Sequence, residues 1–420
     1  MPAKDNIHVL VARYLRDNGY KQTLEALMEE LGLEDDMIPD DHSMTLESIL
    51  EQKRLFDLSQ AVEELEIDDK REDNWLIPYP SFLSVVPKQV PEVNILFVSV
   101  AKLRLPTVLD DDSSPRSERQ CILVASADKS LKIFDFYSFD LLKSFTHLHS
   151  SPILTLAAID ADTVVTGGMD GRLVFTKVAT GEVVVFAKDH FKYLVRITVT
   201  NDNKYIATAG YDKKVNVYNL SFQGEDQIPS LSLIGSVTFP TNPEAIAFVY
   251  NDDKELRLIA SRRDSTFIFY YKLEPTVIEV ARHNLNPESN SWVSFCAMDI
   301  TPDPVDAKLI GVATSTVPHM RFLAVENGVD NIVKNTFTKA PQDAYSSGRI
   351  TWRPHASGIW CNGDDGIIRG IELSTGNVVA ELKHHEGKVK ALYSGIVDGN
   401  EVLVTGGFDK TIAVWEISKR

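Results

Sequence analysis

The chain has 420 residues, 44% hydrophobic and 25% charged, the balance of a globular protein with room for one large domain and a small one. Its 43 Lys and Arg stand against 60 Asp and Glu, and the formal net charge of −17 argues against general binding to nucleic acid or anionic membranes, which requires clustered positive charge. No apolar run follows the start Met-Pro-Ala-Lys-Asp-Asn, so no secretory leader is expected, and the longest apolar patch, 93–101, is interrupted and too short to span a bilayer.

Residues 1–34 read as a small helical module. Ile7, Leu10, Val11, Tyr14 and Leu15 fall at helical spacing, and Asn18-Gly19 ends that helix, with Gly19 free to take a left-handed cap. Tyr20, Leu24, Leu27, Met28 and Leu31 form a second apolar stripe. Two helices this short cannot bury both stripes against each other, so the leftover faces want a partner. Tyr14-Leu15, Asn18-Gly19-Tyr20, Thr23-Leu24 and Leu27 resemble the LisH motif. That resemblance implies a homodimer in which helices of two copies pack as a four-helix bundle. Its contacts would be Leu10, Val11, Tyr14, Leu15, Tyr20, Leu24, Leu27 and Leu31. The competing arrangement is a helical hairpin docked on its own chain.

Residues 35–74 begin with an acidic, Pro-containing joint, after which Ser43 or Thr45 can cap a further helix. Leu46, Ile49, Leu50, Leu55, Leu58, Val62 and Leu65 mark an amphipathic segment, and 68–73 a charged linker.

From residue 75 to the end the chain repeats a short strand–turn–strand unit. The turn aspartates Asp128, Asp170 and Asp212 are 42 residues apart, Asp264 follows after 52, and Asp365 and Asp409 are 44 apart. The long gap between Asp264 and Asp365 has room for a degenerate unit at Leu309–Ala313 and His319–Val325, which makes seven. A period of roughly 40–45 residues with a Gly-Asp turn resembles WD40 repeats, and implies a seven-bladed β-propeller, mainly β, with four antiparallel strands per blade. Propellers of this kind close by lending a strand from the start of the domain to the last blade. Residues 82–90 are the expected closing strand, because the seventh unit stops at Ile417 without an outer strand of its own.

The resemblance also implies a buried His–Ser/Thr–Asp–Trp hydrogen-bonded set in each blade. The seventh supplies His385, Thr405, Asp409 and Trp415, and the third His190, Thr208, Asp212 and Tyr218. The second offers His149, Thr166 and Asp170 with Thr176 at the Trp position, while the fifth and sixth largely lack the set, so looser turns are expected there. A Ser/Thr-His-Asp grouping also suggests a hydrolase, but a catalytic site occurs once and this set recurs blade by blade, so a structural role and no enzymatic activity are expected.

In propellers of this kind the residues before the turn Asp and after the blade His face the central top opening. Mapped onto this chain they include Met169, Lys192, Tyr193, Tyr211, Arg263, Lys388 and Phe408. Such residues suit protein partners, an acidic or phosphorylated peptide among them. Cys121, Cys296 and Cys361 are far apart and odd in number, as expected of buried free thiols in a reducing cytoplasm or nucleus. No cysteine pair has metal-ligand spacing, the histidines are scattered, and no cofactor is expected. LisH–WD40 proteins include ubiquitin-ligase subunits, transcriptional corepressors and microtubule-motor regulators, so the resemblance implies a dimeric scaffold without specifying its assembly.

Overall fold

The computed structural model describes residues 7–32, 38, 45, 48, 74–85, 93–106, 116–224, 228–251, 253–287 and 294–418. The chain divides into two compact units, Met1–Lys70 and Arg71–Arg420. In the first, α1 (Ile7–Asp17) and α2 (Lys21–Leu31) are joined through Gly19, whose φ of 77° only glycine adopts freely. Gly32 ends α2 in the left-handed conformation, its N–H bonded to the Met28 carbonyl. Thr45 and Ser48 cap reciprocally: Ser48 N–H donates to Thr45 Oγ1 at 3.1 Å, and Thr45 N–H to Ser48 Oγ at 3.0 Å. Apart from Ser48, the amphipathic segment expected at 46–65 lies outside the described residues.

The second unit is seven sheets of four antiparallel strands, each sheet built from strands consecutive in sequence except the last. The first strands of successive sheets pack against one another in a ring, so they are innermost. This is a seven-bladed β-propeller, with blade five, expected to be degenerate, formed by Ala297–Pro302, Leu309–Thr314, His319–Glu326 and Ile332–Pro341. Phe82–Val85 supplies the outermost strand of blade seven, with Phe82 opposite Glu416 and Leu83 opposite Trp415. Residues 86–90 of the expected closing strand lie outside the described residues.

The core is divided among the blade interfaces. Ile95, Ile122 and Phe134 of blade one meet Val404, Ile412 and Val414 of blade seven, all at 0% exposure. At about 1.5–3 kcal/mol per fully buried aliphatic or aromatic side chain, such interfaces supply the main cohesion of the ring.

Residues 74–80 lie over blades six and seven. Arg353, fully buried, donates through Nε and Nη2 to Glu401 at 2.9 and 2.7 Å, and through Nη1 to the Leu76 carbonyl at 2.8 Å. The Trp75 ring lies 4.3 Å from its guanidinium carbon and edge-on to Trp360. Trp75 fits because position 370 is glycine: a Cβ there would stand 2.5 Å from the indole. Among the described residues no helix is long and apolar enough to cross a membrane.

Candidate interaction surface

The face that carries the second-to-third-strand turns is built on buried histidine–aspartate contacts. In blade seven His385 Nδ1 lies 3.0 Å from Asp409 Oδ2, His385 Nε2 lies 2.7 Å from Thr405 Oγ1, and Trp415 Nε1–H donates to Thr405 at 3.2 Å. Blade three places His190 at 2.9 Å from Asp212 and 2.8 Å from Thr208. Its Tyr218 hydroxyl also donates to Asp189 Oδ2 at 3.0 Å. Blade two has His149 at 2.9 Å from both Asp170 and Thr166, and Thr176 Oγ1, at the Trp position, has no hydrogen-bond partner.

Blades one and six solve the same problem without histidine. Lys132 Nζ donates to Asp128 Oδ2 at 3.1 Å, and Arg369 grips Asp365 with bonds of 3.1 and 2.6 Å. The expected looser turn in blade six is therefore corrected: a cation four residues after the turn Asp takes the place of the His. These turn carboxylates titrate low. Burial opposes their ionisation, but hydrogen bonds from Ser126, Ser130 and Lys132 hold Asp128 down to about 2, and those from His149 and two backbone amides do the same for Asp170. Burial keeps His385 below the ordinary histidine range despite Asp409.

The expected top-face residues lie on these turns and on the loops that lead into the innermost strands. Met169, Tyr193 and Tyr211 line a cavity of about 260 Å³ at the mouth of the central channel. Arg263 Nε donates to Glu244 Oε1 at 2.7 Å, and the Tyr211 hydroxyl to Glu244 Oε2 at 3.2 Å. Burial and the Glu244 charge push Tyr211 up to about 12. Lys388 is tied to Asp364 and Asp343 at 2.6 and 3.1 Å. Lys192 and Phe408 are exposed on the rim and do not line the cavity. Arg263 instead lines a neighbouring groove with Cys296, Asp343 and Ser346.

The cavity wall also holds residues that the sequence reading did not single out. Six innermost strands shift register in their first turn, between Ile95 and Phe97, Ile153 and Thr155, Leu194 and Arg196, Pro243 and Ile246, Ala297 and Asp299, and Val389 and Ala391. Such bulges re-aim side chains. The skipped residues Leu96, Leu154, Val195, Glu244, Met298 and Lys390 all line the channel mouth. Arg196 and Arg349 complete it, both ion-paired to Asp299, at 3.4 and 3.2 Å. A signal existed: Leu154, Val195 and Lys390 each stand five residues after their blade histidine.

In the first unit α2 has no buried residue. Tyr20 and Leu31 are 53% and 38% exposed, Leu24 and Leu27 are half-buried, and so are Val11, Tyr14 and Leu15 on α1, where only Leu10 of the expected contacts is buried. The three cysteines are buried and free, and burial pushes Cys121 and Cys361 up to about 12.

A family model described as UCP007778, beta-propeller domain, matches residues 108–416, and one described as UCP007778, LisH domain, matches residues 5–33. No curated protein matches the chain.

Proposed function

The chain belongs to the UCP007778 family, in which a LisH domain accompanies a β-propeller, and from that premise we propose a non-enzymatic scaffold that pairs two copies through its LisH helices and presents two propeller top faces to protein partners. A propeller with a LisH domain is a typical interaction fold. The recurrence of the His–Thr–Asp contacts in blades two, three and seven supports a structural role for them. The observation that carries the dimer is α2: it holds an apolar stripe, Leu24, Leu27, Met28 and Leu31, and fully buries none of it. Pairing two propellers doubles the partner-binding surfaces and raises avidity without new contacts. On the top face Tyr193, Tyr211, Arg263 and Phe408 supply the aromatic and Arg types favoured at interface centres.

Light scattering on the full chain tests the pairing. The expected mass is twice the 46.9 kDa of one chain, falling to one in Leu24→Asp with Leu27→Asp. A wild-type monomer refutes the dimer. Partner recovery that is unchanged by Arg263→Glu with Tyr211→Ala and Phe408→Ala refutes the top-face assignment.

A further inference from the structure

Among the described residues, the channel mouth gathers three cations from three blades around one carboxylate. Arg196 and Arg349 share Asp299, and Lys390 Nζ has no ion-pair partner within 4.0 Å among the described residues. Glu244, the acid in the cavity lining, is taken by Arg263 and Tyr211. Two positive charges are thus left uncompensated inside a protein whose net charge is −17. Arg196 Nε is buried without a hydrogen-bond partner, an orphaned donor at the same place. Lys390 is the residue skipped by the blade-seven bulge, so the backbone irregularity delivers the unpaired ammonium to the cavity. Leu96 and Leu154, at the same offset in blades one and two, give the wall between Lys390 and Arg196 apolar surface.

We propose that the cavity formed by Arg196, Arg349 and Lys390 is a binding site for a phosphate monoester, with the group's organic part against Leu96 and Leu154. The inference rests on the reading of the top face as the partner face and assigns that face its ligand chemistry. A phosphate monoester carries about −1.5 to −2 at neutral pH, which matches the uncompensated charge, and its oxygens accept from both guanidinium and ammonium donors. A lone carboxylate would neutralise half of it. Burial and the neighbouring Arg196 charge lower Lys390 to about 8, against the opposing pull of Asp299, Glu244 and Asp364. An anion held by its charged form therefore binds less well as pH rises through that value. Binding also weakens below pH of about 6, where the phosphate loses its second charge.

Full-length protein is titrated at neutral pH and low salt with inorganic phosphate and, separately, with the acetylated, amidated peptide Gly-Gly-phosphoSer-Gly-Gly, following phosphorus NMR line width. Saturable binding is expected, and Lys390→Gln is expected to weaken it about tenfold or more, while Lys308→Gln, on an exposed loop of the opposite face, leaves it unchanged. Equal affinity in the two variants, or no saturable binding to the wild type, overturns the site. A footprint requires no variant: phosphate is expected to protect Lys390 of the native protein from acylation by sulfosuccinimidyl acetate, read by peptide mass, and equal labelling with and without phosphate overturns the proposal. Protection by the peptide supports a phosphoprotein as the source. Protection by inorganic phosphate alone supports a small phosphate ligand and removes the peptide. Protection that persists in the Leu24→Asp, Leu27→Asp chain supports the site even where the paired scaffold fails.

Discussion

Replacing Arg353 with Leu isolates the contact that fastens residues 74–80 to the ring. The side chain is fully buried, and its partner Glu401 is 2% exposed. Loss of the guanidinium leaves the Glu401 carboxylate buried without the two bonds of 2.9 and 2.7 Å. Removing one member of such a pair costs about 3–5 kcal/mol, most of it the stranded charge. The Leu76 carbonyl also loses its donor, but Leu76 is 42% exposed and water replaces much of that bond. At about 2 °C per kcal/mol for a large domain, the melting temperature should fall by roughly 6–10 °C. The double variant Arg353→Leu with Glu401→Leu should melt above the single one, because no charge is left behind. The assay is thermal unfolding by circular dichroism with limited proteolysis, in which cleavage within 74–80 should accelerate in the single variant, since Trp75 loses its cation and the Leu76 carbonyl its donor. A melting temperature within about 1 °C of wild type, or a double variant worse than the single, refutes the reasoning.

Three more outcomes follow from the same geometry. Gly370→Ala places a methyl carbon 2.5 Å from Trp75, so a loss of about 1–3 kcal/mol and red-shifted tryptophan emission are expected in urea unfolding and fluorescence; unchanged emission contradicts this. Thr405→Val strands the Trp415 N–H and His385 Nε2 and should cost about 1–3 kcal/mol, whereas Thr176→Val, which removes a buried hydroxyl with no partner, should be neutral or stabilising in the same urea assay. His385 titrates below its unfolded value, so the unfolded chain takes up that proton first as pH drops. The contribution is complete above about pH 6.5 and is lost as pH falls from there through the folded value, and His385→Gln should flatten that part of the stability profile.

Much of the architecture was legible because it repeats. The 42-residue spacing of Asp128, Asp170 and Asp212 reports one structural unit, and blade seven's missing outer strand pointed to a donor near residue 82. The substitutes for histidine were less visible, because Lys132 and Arg369 reach the turn Asp from the third strand while histidine reaches it from the preceding loop. The offset of four from Asp to cation is common to both, so aligning the blades on their turn aspartates would have found it. Arg353 with Glu401, and Asp299 with Arg196 and Arg349, are contacts between blades, and no local pattern specifies them.

Blades two, three and seven keep the histidine set, while one, four, five and six do not, and the groove lined by Arg263, Cys296, Asp343 and Ser346 opens over blades four to six. Sequence rules of a fold give way where residues serve something besides folding. In blade four Arg263, beside the turn Asp, is turned to Glu244. In blade five Asp299 is given to two arginines of other blades, although burial raises its pKa and disfavours its charge. An isolated fold gains little from collecting Arg196, Arg349 and Lys390 around one carboxylate, since like charges at close range repel. The arrangement becomes favourable when an anion arrives, which makes the channel mouth the place to look for the ligand.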